Sequence, residues 1–305
     1  MRVNLARSAA LLALLPLALA IASAKQPDLT QAGRCVAAPA LAEIPAGELT
    51  TSDRRGNSAP TKVSAFTIDR EEVTVAQFRA FVEATGYTTE AEREGASPVF
   101  QSPLEPVAES PSAWWRMVQG ASWRYPAGPN GAPAAPDEPV VHVTIADALA
   151  YARWAGRAIP TEAEWEWAAR GGDQTKRTPA QWAYDAEGRP RANTWQGVFP
   201  YANSASDGYA GVAPVGCFEP NGYGVHDMVG NAWELTLEST GVGPVIKGGS
   251  HLCAFNYCAN FMPAARMVQE RNLGASHIGF RTIERVPGRQ SRRESAPRFT
   301  RPAAG

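Results

Sequence analysis

The chain has 305 residues, 44% hydrophobic and 19% charged, with a formal net charge of -1. That length can bury a sizeable core in one large or two small domains, and the near-zero charge excludes the broad basic field expected of a nucleic-acid binder. The 27 Gly, 25 Pro and 9 Trp argue against a helical bundle or a parallel sheet and predict one loop-rich domain pinned by aromatics.

Arg2 and Arg7 precede the apolar run Ala9–Ile21, which ends in Ala22-Ser23-Ala24, the pattern of an export signal with a small-residue cleavage site. The run is shorter than the ~20 residues of a membrane span, so cleavage after Ala24 is expected rather than retention as an anchor. The residue directly after that site is Lys25 rather than cysteine, so a lipoprotein is not indicated. The mature chain is expected to be periplasmic or secreted and off the membrane, where disulfides persist. The organisation reads as a signal peptide over 1–24, an N-terminal arm over 25–40, a folded domain over 41–285 and a tail over 286–305.

Leu41–Leu49 and Lys62–Val73 read as short strands from partial alternation and Gly or Pro punctuation. Thr74 reads as the N-cap of a helix with Phe78, Phe81 and Val82 on one face, closed by Gly86. From Glu94 to Pro139 the sequence is irregular, with aromatic islands at Trp114-Trp115 and Trp123-Arg124-Tyr125. A loop of that length is functional or disordered, and its Trp residues predict a packed loop with a surface role, such as a groove wall.

Val140–Val143 reads as a strand, and Thr144 with Asp147 as the capping box of a helix with the apolar stripe Leu149, Tyr151 and Trp154, stopped at Gly156. Thr161 and Glu164 repeat the capping spacing before Trp165 and Ala168, with a stop at Gly171-Gly172. Glu162 and Glu164 fall in a first helical turn, where carboxylates answer the helix dipole, so structural roles are expected rather than acid–base chemistry. Asn193-Thr194 with Asp207-Gly208-Tyr209, and Asp227–Glu234 with carbonyls at Gly230 and Ala232, have the mixed oxygen donors of calcium sites. Asx-turns use the same residues, and spacing alone leaves both readings open.

Four cysteines allow three pairings. Cys253 and Cys258 lie five apart in KGGSHLCAFNYC (Lys247–Cys258), which on a regular strand would separate them by ~16 Å on opposite faces. The chain between them must loop back if they are to form a disulfide or share a soft metal such as Cu(I). If these two are the working pair, Cys35 and Cys217 remain to tie the arm to the body. Beyond Arg281, Val286–Gly305 turns to Arg, Ser and Pro without apolar periodicity, a disordered basic tail.

Seven ordered blocks resemble the formylglycine-generating enzymes, also called sulfatase-modifying factors. They are GYTTEAE (Gly86–Glu92), GASWRYPAGP (Gly120–Pro129), RAIPTEAEWEWAARGG (Arg157–Gly172), NTWQGVFP (Asn193–Pro200), PNGYGVHDMVGNAWE (Pro220–Glu234), GGSHLCAFNYC (Gly248–Cys258) and HIGFR (His277–Arg281). The resemblance implies a single α+β domain of the C-type-lectin-like kind, low in regular secondary structure. It implies two calcium ions, one on Asn193, the Thr194 carbonyl, Asp207 and the Tyr209 carbonyl, the other on Asp227, the Gly230 and Ala232 carbonyls and Glu234. It also implies a copper-dependent oxidase that uses dioxygen to convert a cysteine in an unfolded sulfatase polypeptide, within Cys-x-Pro-x-Arg, to formylglycine. Cys253 and Cys258 would hold Cu(I), with Ser250, Tyr257 and Trp233 around the oxygen pocket, in a protein expected to act as a monomer.

Three features depart from the family pattern. His277 stands where Asn is frequent, open to roles as hydrogen-bonding group, metal ligand or proton carrier; Ala259-Asn260-Phe261-Met262 replaces an Arg- and Tyr-rich run; Ala254 replaces an Arg found in some members. The stretch between Glu234 and Lys247 is also short. Two alternatives stand beside the sulfatase reading: an exported relative acting on a small molecule or nonribosomal peptide, as in siderophore maturation, and a non-catalytic lectin-like binding module with a permanent Cys253–Cys258 disulfide.

Overall fold

The structure is a computed structural model that describes residues 35, 40–52, 58–103, 114–239, 241 and 243–285; the expected signal peptide, most of the arm and the basic tail fall outside them. The first half of the domain opens with β1 (Leu41–Ile44), β2 (Gly47–Ser52), β3 (Ser58–Val63) and β4 (Phe66–Asp69). The two sequence runs expected as single strands are each broken, because β1 pairs antiparallel with β4 whereas β2 pairs with β3. Alternation carries β1 and β4: Ala42, Ile44, Phe66 and Ile68 are buried, and Glu43 is exposed between them.

Helix α1 (Val75–Thr85) has the predicted Thr74 cap, completed by Gln77 as a capping box, and ends on left-handed Gly86. Its Phe78 ring meets Phe81, Trp123, Tyr151 and Phe280 at centroid distances of 5.3 to 6.3 Å, the centre of the largest core cluster. The following α2 (Glu90–Glu94) leads into β5 (Ala96–Phe100), which pairs antiparallel with β6 (Trp115–Gln119). That hairpin corrects the expectation of an irregular stretch from Glu94 to Pro139. Its strands gave no sequence signal because β5 contains Pro98 and β6 carries no clean alternation of burial. Trp114 and Trp123 are buried, so they are core rather than groove surface.

Val140–Val143 is buried but is not a strand, a second correction. His142 has φ 60, which no regular strand tolerates, and the segment bonds singly, Val140 N–H to Val73 O and His142 N–H to Ala275 O. Helices α3 (Ile145–Trp154) and α4 (Glu162–Arg170) carry the predicted capping boxes at Thr144–Asp147 and Thr161–Glu164. In α3 the stripe is narrower than expected, with Tyr151 buried and Trp154 44% exposed. Glu162 and Glu164 are tied to Arg266 and Arg285, the structural roles expected of them.

A short α5 (Pro179–Ala183) and the small hairpin of β7 (Gly197–Val198) and β8 (Ala202–Asn203) precede the sheet that organises the second half. In that sheet β9 (Trp233–Ser239), β10 (Pro244–Lys247) and β11 (Arg266–Val268) are antiparallel neighbours, and β12 (Ile278–Gly279) runs parallel to β9 on its other side. Finally β13 (Ile283–Arg285) joins β4, so both ends of the described domain meet in one sheet. No helix among the described residues is long and apolar enough to cross a membrane.

Cys35 is disulfide-bonded to Cys217 across a sequence separation of 182. Cross-linking so large a loop removes denatured-state entropy worth about 5 kcal/mol in the chain-entropy model. The Cys35→Ala/Cys217→Ala variant is therefore expected to lose most of that amount in chemical denaturation, and a loss under ~1 kcal/mol would show that the arm contributes little.

Candidate active site

Lys247 at the end of β10 is followed by Gly248 and Gly249, with φ of 93° and 79°. A Cβ at Gly249 would stand 2.9 Å from the Phe261 Cα, and one at Gly248 3.1 Å from the Met228 carbonyl and the Trp165 ring. Only glycine fits both the backbone conformation and the space, and the pair turns the chain from the sheet into the loop that carries the cysteines.

Within that loop Ala254 and Tyr257 exchange backbone hydrogen bonds of 2.9 and 3.1 Å, closing a tight turn. This is the reversal that the five-residue spacing demanded: the Cys253 and Cys258 sulfurs lie 3.2 Å apart, unbonded. Cys258 itself has φ 55, an uncommon conformation for a non-glycine residue, of the sort found where surrounding structure enforces it. Asn256 locks the turn to the preceding hairpin by accepting from Phe199 N–H and donating to Phe199 O.

The two thiols differ in surroundings. Cys253 is buried, and burial together with its neighbour holds its proton on. Cys258 is half-buried, and its thiol is lowered to about 7 by the hydrogen bond with Cys253 and by Asn260, whose side-chain N–H reaches Cys258 Sγ at 3.4 Å. The pair thus loses its first proton from Cys258. In the metal-free protein, alkylation of Cys258 is expected to rise as pH increases through about 7, roughly two units below an ordinary thiol, while Cys253 stays unreactive. Mass-spectrometric footprinting between pH 5 and 10 checks this, and a midpoint near 9 would refute it.

Other predicted residues gather around the same strands. Ser250 is buried; its carbonyl accepts from Cys253 N–H and its hydroxyl from Leu252 N–H, which holds the start of the cysteine loop in place. Tyr257 stacks on Phe199 at 4.6 Å and meets the edge of Trp114 at 5.7 Å. Trp233, fully buried at the start of β9, donates its backbone N–H to His277 O. The His277 ring tilts against Trp115 at 4.8 Å, its Nδ1 lacks a partner, and burial beside His251 and His142 lowers its pKa to about 3. It is a neutral imidazole at working pH. Sequence reasoning missed Asn260 as a contact to sulfur, and nothing in its spacing marked it.

Beside the cysteine turn lies an exposed apolar surface. Phe255 is 56% and Val198 59% exposed, and Tyr201 and Tyr257 are also exposed. Phe255 is held from below by Tyr184 and Phe261.

The two oxygen-rich sets differ. In the first, Gln196 Nε2 donates to the Thr194 carbonyl and hydroxyl and to Asp207 Oδ2, so these oxygens already converge on one neutral N–H donor group. Asn193 Oδ1 nearby is buried without a partner. That donor set fits a hard cation. In the second, both oxygens of Glu234 are taken by Arg281, and Oε2 also accepts from the Trp165 indole. Asp227 is the carboxylate of that set without its own ion pair, and burial raises it to about 6. Among the described residues no three His, Cys, Asp or Glu side chains converge tightly enough to hold a metal unaided, so either ion would depend on backbone carbonyls.

Fold and site together define a loop-rich α+β domain that presents two free thiols, poised on one turn, next to an apolar surface. The chain belongs to the family described as the sulfatase-modifying factor enzyme 1-like domain, whose model matches residues 25–286. It is 43% identical to the formylglycine-generating enzyme of Thermomonospora curvata over 75% of this chain and 85% of that protein. To the Bos taurus formylglycine-generating enzyme it is 40% identical over 85% of this chain and 78% of that protein. PvdO from Pseudomonas aeruginosa shares the fold, with a TM-score of 0.57 and 23% identity over 81% of this chain and 95% of PvdO. The mouse protein named inactive C-alpha-formylglycine-generating enzyme 2 is also 37% identical over 80% of this chain and 85% of that protein, so the activity has to be argued from the site.

Proposed function

We propose that the protein is a copper-dependent oxidase that converts a cysteine of an unfolded sulfatase polypeptide, in a Cys-x-Pro-x-Arg segment, to Cα-formylglycine with dioxygen. The observation that carries this reading is the pair of unbonded thiols 3.2 Å apart, in a chain whose other two cysteines form the disulfide. Two sulfurs at that separation, one already near its ionised form, are a donor set for Cu(I). Bound there, copper supplies one-electron chemistry with dioxygen. Turning the substrate's CH2–SH into an aldehyde removes two electrons, releases sulfide and takes its oxygen from water.

The protein's own groups supply the rest. Asn260 steadies the Cys258 sulfur by its 3.4 Å hydrogen bond. Buried Trp233 and Ser250 exclude bulk water from the inner side of the pair, which strengthens local electrostatics. Neutral His277 leaves its unpartnered Nδ1 available for a hydrogen bond to a bound group. The exposed surface of Phe255, Tyr257, Val198 and Tyr201 is suited to an extended apolar peptide. Two calcium ions, on the Asn193 and Asp227 sets, would tie loops 193–209 and 227–234 together. If the chain is exported, its sulfatase substrate must reach it still unfolded, or the substrate is of another kind.

The test is to load reduced protein with Cu(I), add a Cys-x-Pro-x-Arg peptide in air, and follow the peptide by mass spectrometry. Conversion of its cysteine to the aldehyde supports the proposal. Tight copper binding with an untouched peptide would leave the metal chemistry and reject the substrate, favouring a small molecule instead. No copper binding would reject the oxidase in favour of a binding module.

A further inference from the structure

The loop that carries the cysteines also supplies one wall of a separate cavity. Its volume is about 470 Å³; Val99, Phe100, Val141, Trp195 and Leu252 line it together with His251 and a few small or uncharged residues. No charged side chain is among them. Leu252 immediately precedes Cys253, and Trp195 donates its backbone N–H to the Cys253 carbonyl at 3.0 Å. The cavity therefore backs onto the cysteine loop without including either thiol.

His251 is 9% exposed. Its Nδ1 lies 3.1 Å from the Asn231 carbonyl, which also accepts the His251 backbone N–H at 2.9 Å. A carbonyl only accepts, so Nδ1 carries the ring proton and the ring is fixed in place. Burial keeps the imidazole neutral, and Nε2 is left with its lone pair. That nitrogen has no protein partner among the described residues, yet unlike His277 Nδ1 it is not sealed from solvent. It opens into the cavity that the ring lines.

The neighbouring polar groups are already engaged. Trp195 Nε1 donates to the Ala202 carbonyl, Asn203 Oδ1 accepts from the Gln196 and Ala205 N–H groups, and Ser276 Oγ accepts from Phe100 N–H. A water on Nε2 would thus find few of the roughly two to four partners that hold a buried water. A metal would gain one protein nitrogen, because no other histidine, cysteine or carboxylate lines the cavity. A charged ligand would lose its hydration against uncharged walls.

We propose that this cavity is a binding site for a compact, uncharged ring bearing one hydrogen-bond donor, of the phenol or indole kind, whose O–H or N–H is given to His251 Nε2. The volume falls within the range of small-molecule sites, about 300–1,000 Å³, which are mostly apolar with a few placed polar groups. Phe100 and Trp195, edge to face at 5.7 Å, supply aromatic walls that suit a ring. A tyrosine or tryptophan side chain of a polypeptide and a free small molecule share this chemistry. The site stands independently of the copper reading.

The test is calorimetric titration with p-cresol and p-xylene, which differ only in a hydroxyl against a methyl group. A purely apolar cavity would favour the xylene. Binding of p-cresol at least about fivefold tighter is expected, with movement of the His251 Nε2 resonance in nitrogen NMR. His251→Phe should reverse the preference. Val212→Trp, which puts an indole on the half-buried cavity wall and leaves His251 in place, should weaken p-cresol at least tenfold. N-acetyltyrosinamide separates the two sources: binding as tight as p-cresol assigns a polypeptide side chain, and its exclusion assigns a free small molecule. Preference for p-xylene in the unaltered protein, no binding of either probe, or no effect of Val212→Trp would overturn the proposal.

Discussion

Replacing Arg281 by methionine is expected to destabilise the protein by about 3–5 kcal/mol, the usual cost of breaking a buried ion pair by removing one partner. The guanidinium is fully buried, and it alone holds both oxygens of Glu234 from the charged side. It also ties the Asp69–Arg70 segment and His226 to the central sheet through three carbonyls. Its loss would leave Glu234, Glu72 and Asp227 buried together without a countercharge. For a domain of this size that corresponds to a melting temperature lower by roughly 10 °C. The Arg281→Met/Glu234→Gln double variant should lose clearly less than the two single losses added together, since glutamine removes the charge that Arg281 answers. Differential scanning calorimetry on the three variants decides the matter; additive losses, or a single loss under ~1 kcal/mol, would contradict this view of the core.

Cys258→Ser is expected to lower aldehyde formation on the peptide to below roughly a thousandth of wild type, because groups that act as one unit fail together. A serine hydroxyl is a hard donor that does not hold Cu(I), and it cannot ionise near neutral pH. Cys253→Ser should fall to the same level, and the double variant should be no worse than either single one. The structure supplies a control: the Cys35–Cys217 bridge involves the other two cysteines, so its stability contribution should be unchanged in Cys258→Ser. Retention of even a tenth of wild-type turnover in Cys258→Ser, with folding intact by near-ultraviolet circular dichroism, would remove the dithiol from the reaction.

Capping residues were the most legible part of the fold. Thr74, Thr144 and Thr161 each begin the helix expected of them, because a cap satisfies backbone groups within four residues and so depends only on local sequence. The β5–β6 hairpin was not legible. Pro98 and the unpatterned Trp115–Gln119 acquire strand geometry only by pairing with each other across an intervening segment. The opposite error occurred at Val140–Val143, where an apolar run resembling a strand is turned aside by His142 at φ 60 and buried without regular pairing.

For the candidate site, the sequence by itself determined the donor types, the double glycine that turns into the cysteine loop, and the requirement that the loop reverse within five residues. These follow from covalent spacing and from backbone conformations that only glycine adopts readily. Tertiary structure alone decided which cysteines pair, since Cys35 and Cys217 are brought together across a separation of 182. It also decided that Glu234 is claimed by Arg281 and that one oxygen of Glu72 is buried without a partner. Both outcomes depend on which charges are buried side by side. Burial is a property of the whole packed chain, so no local spacing of residues could have shown it.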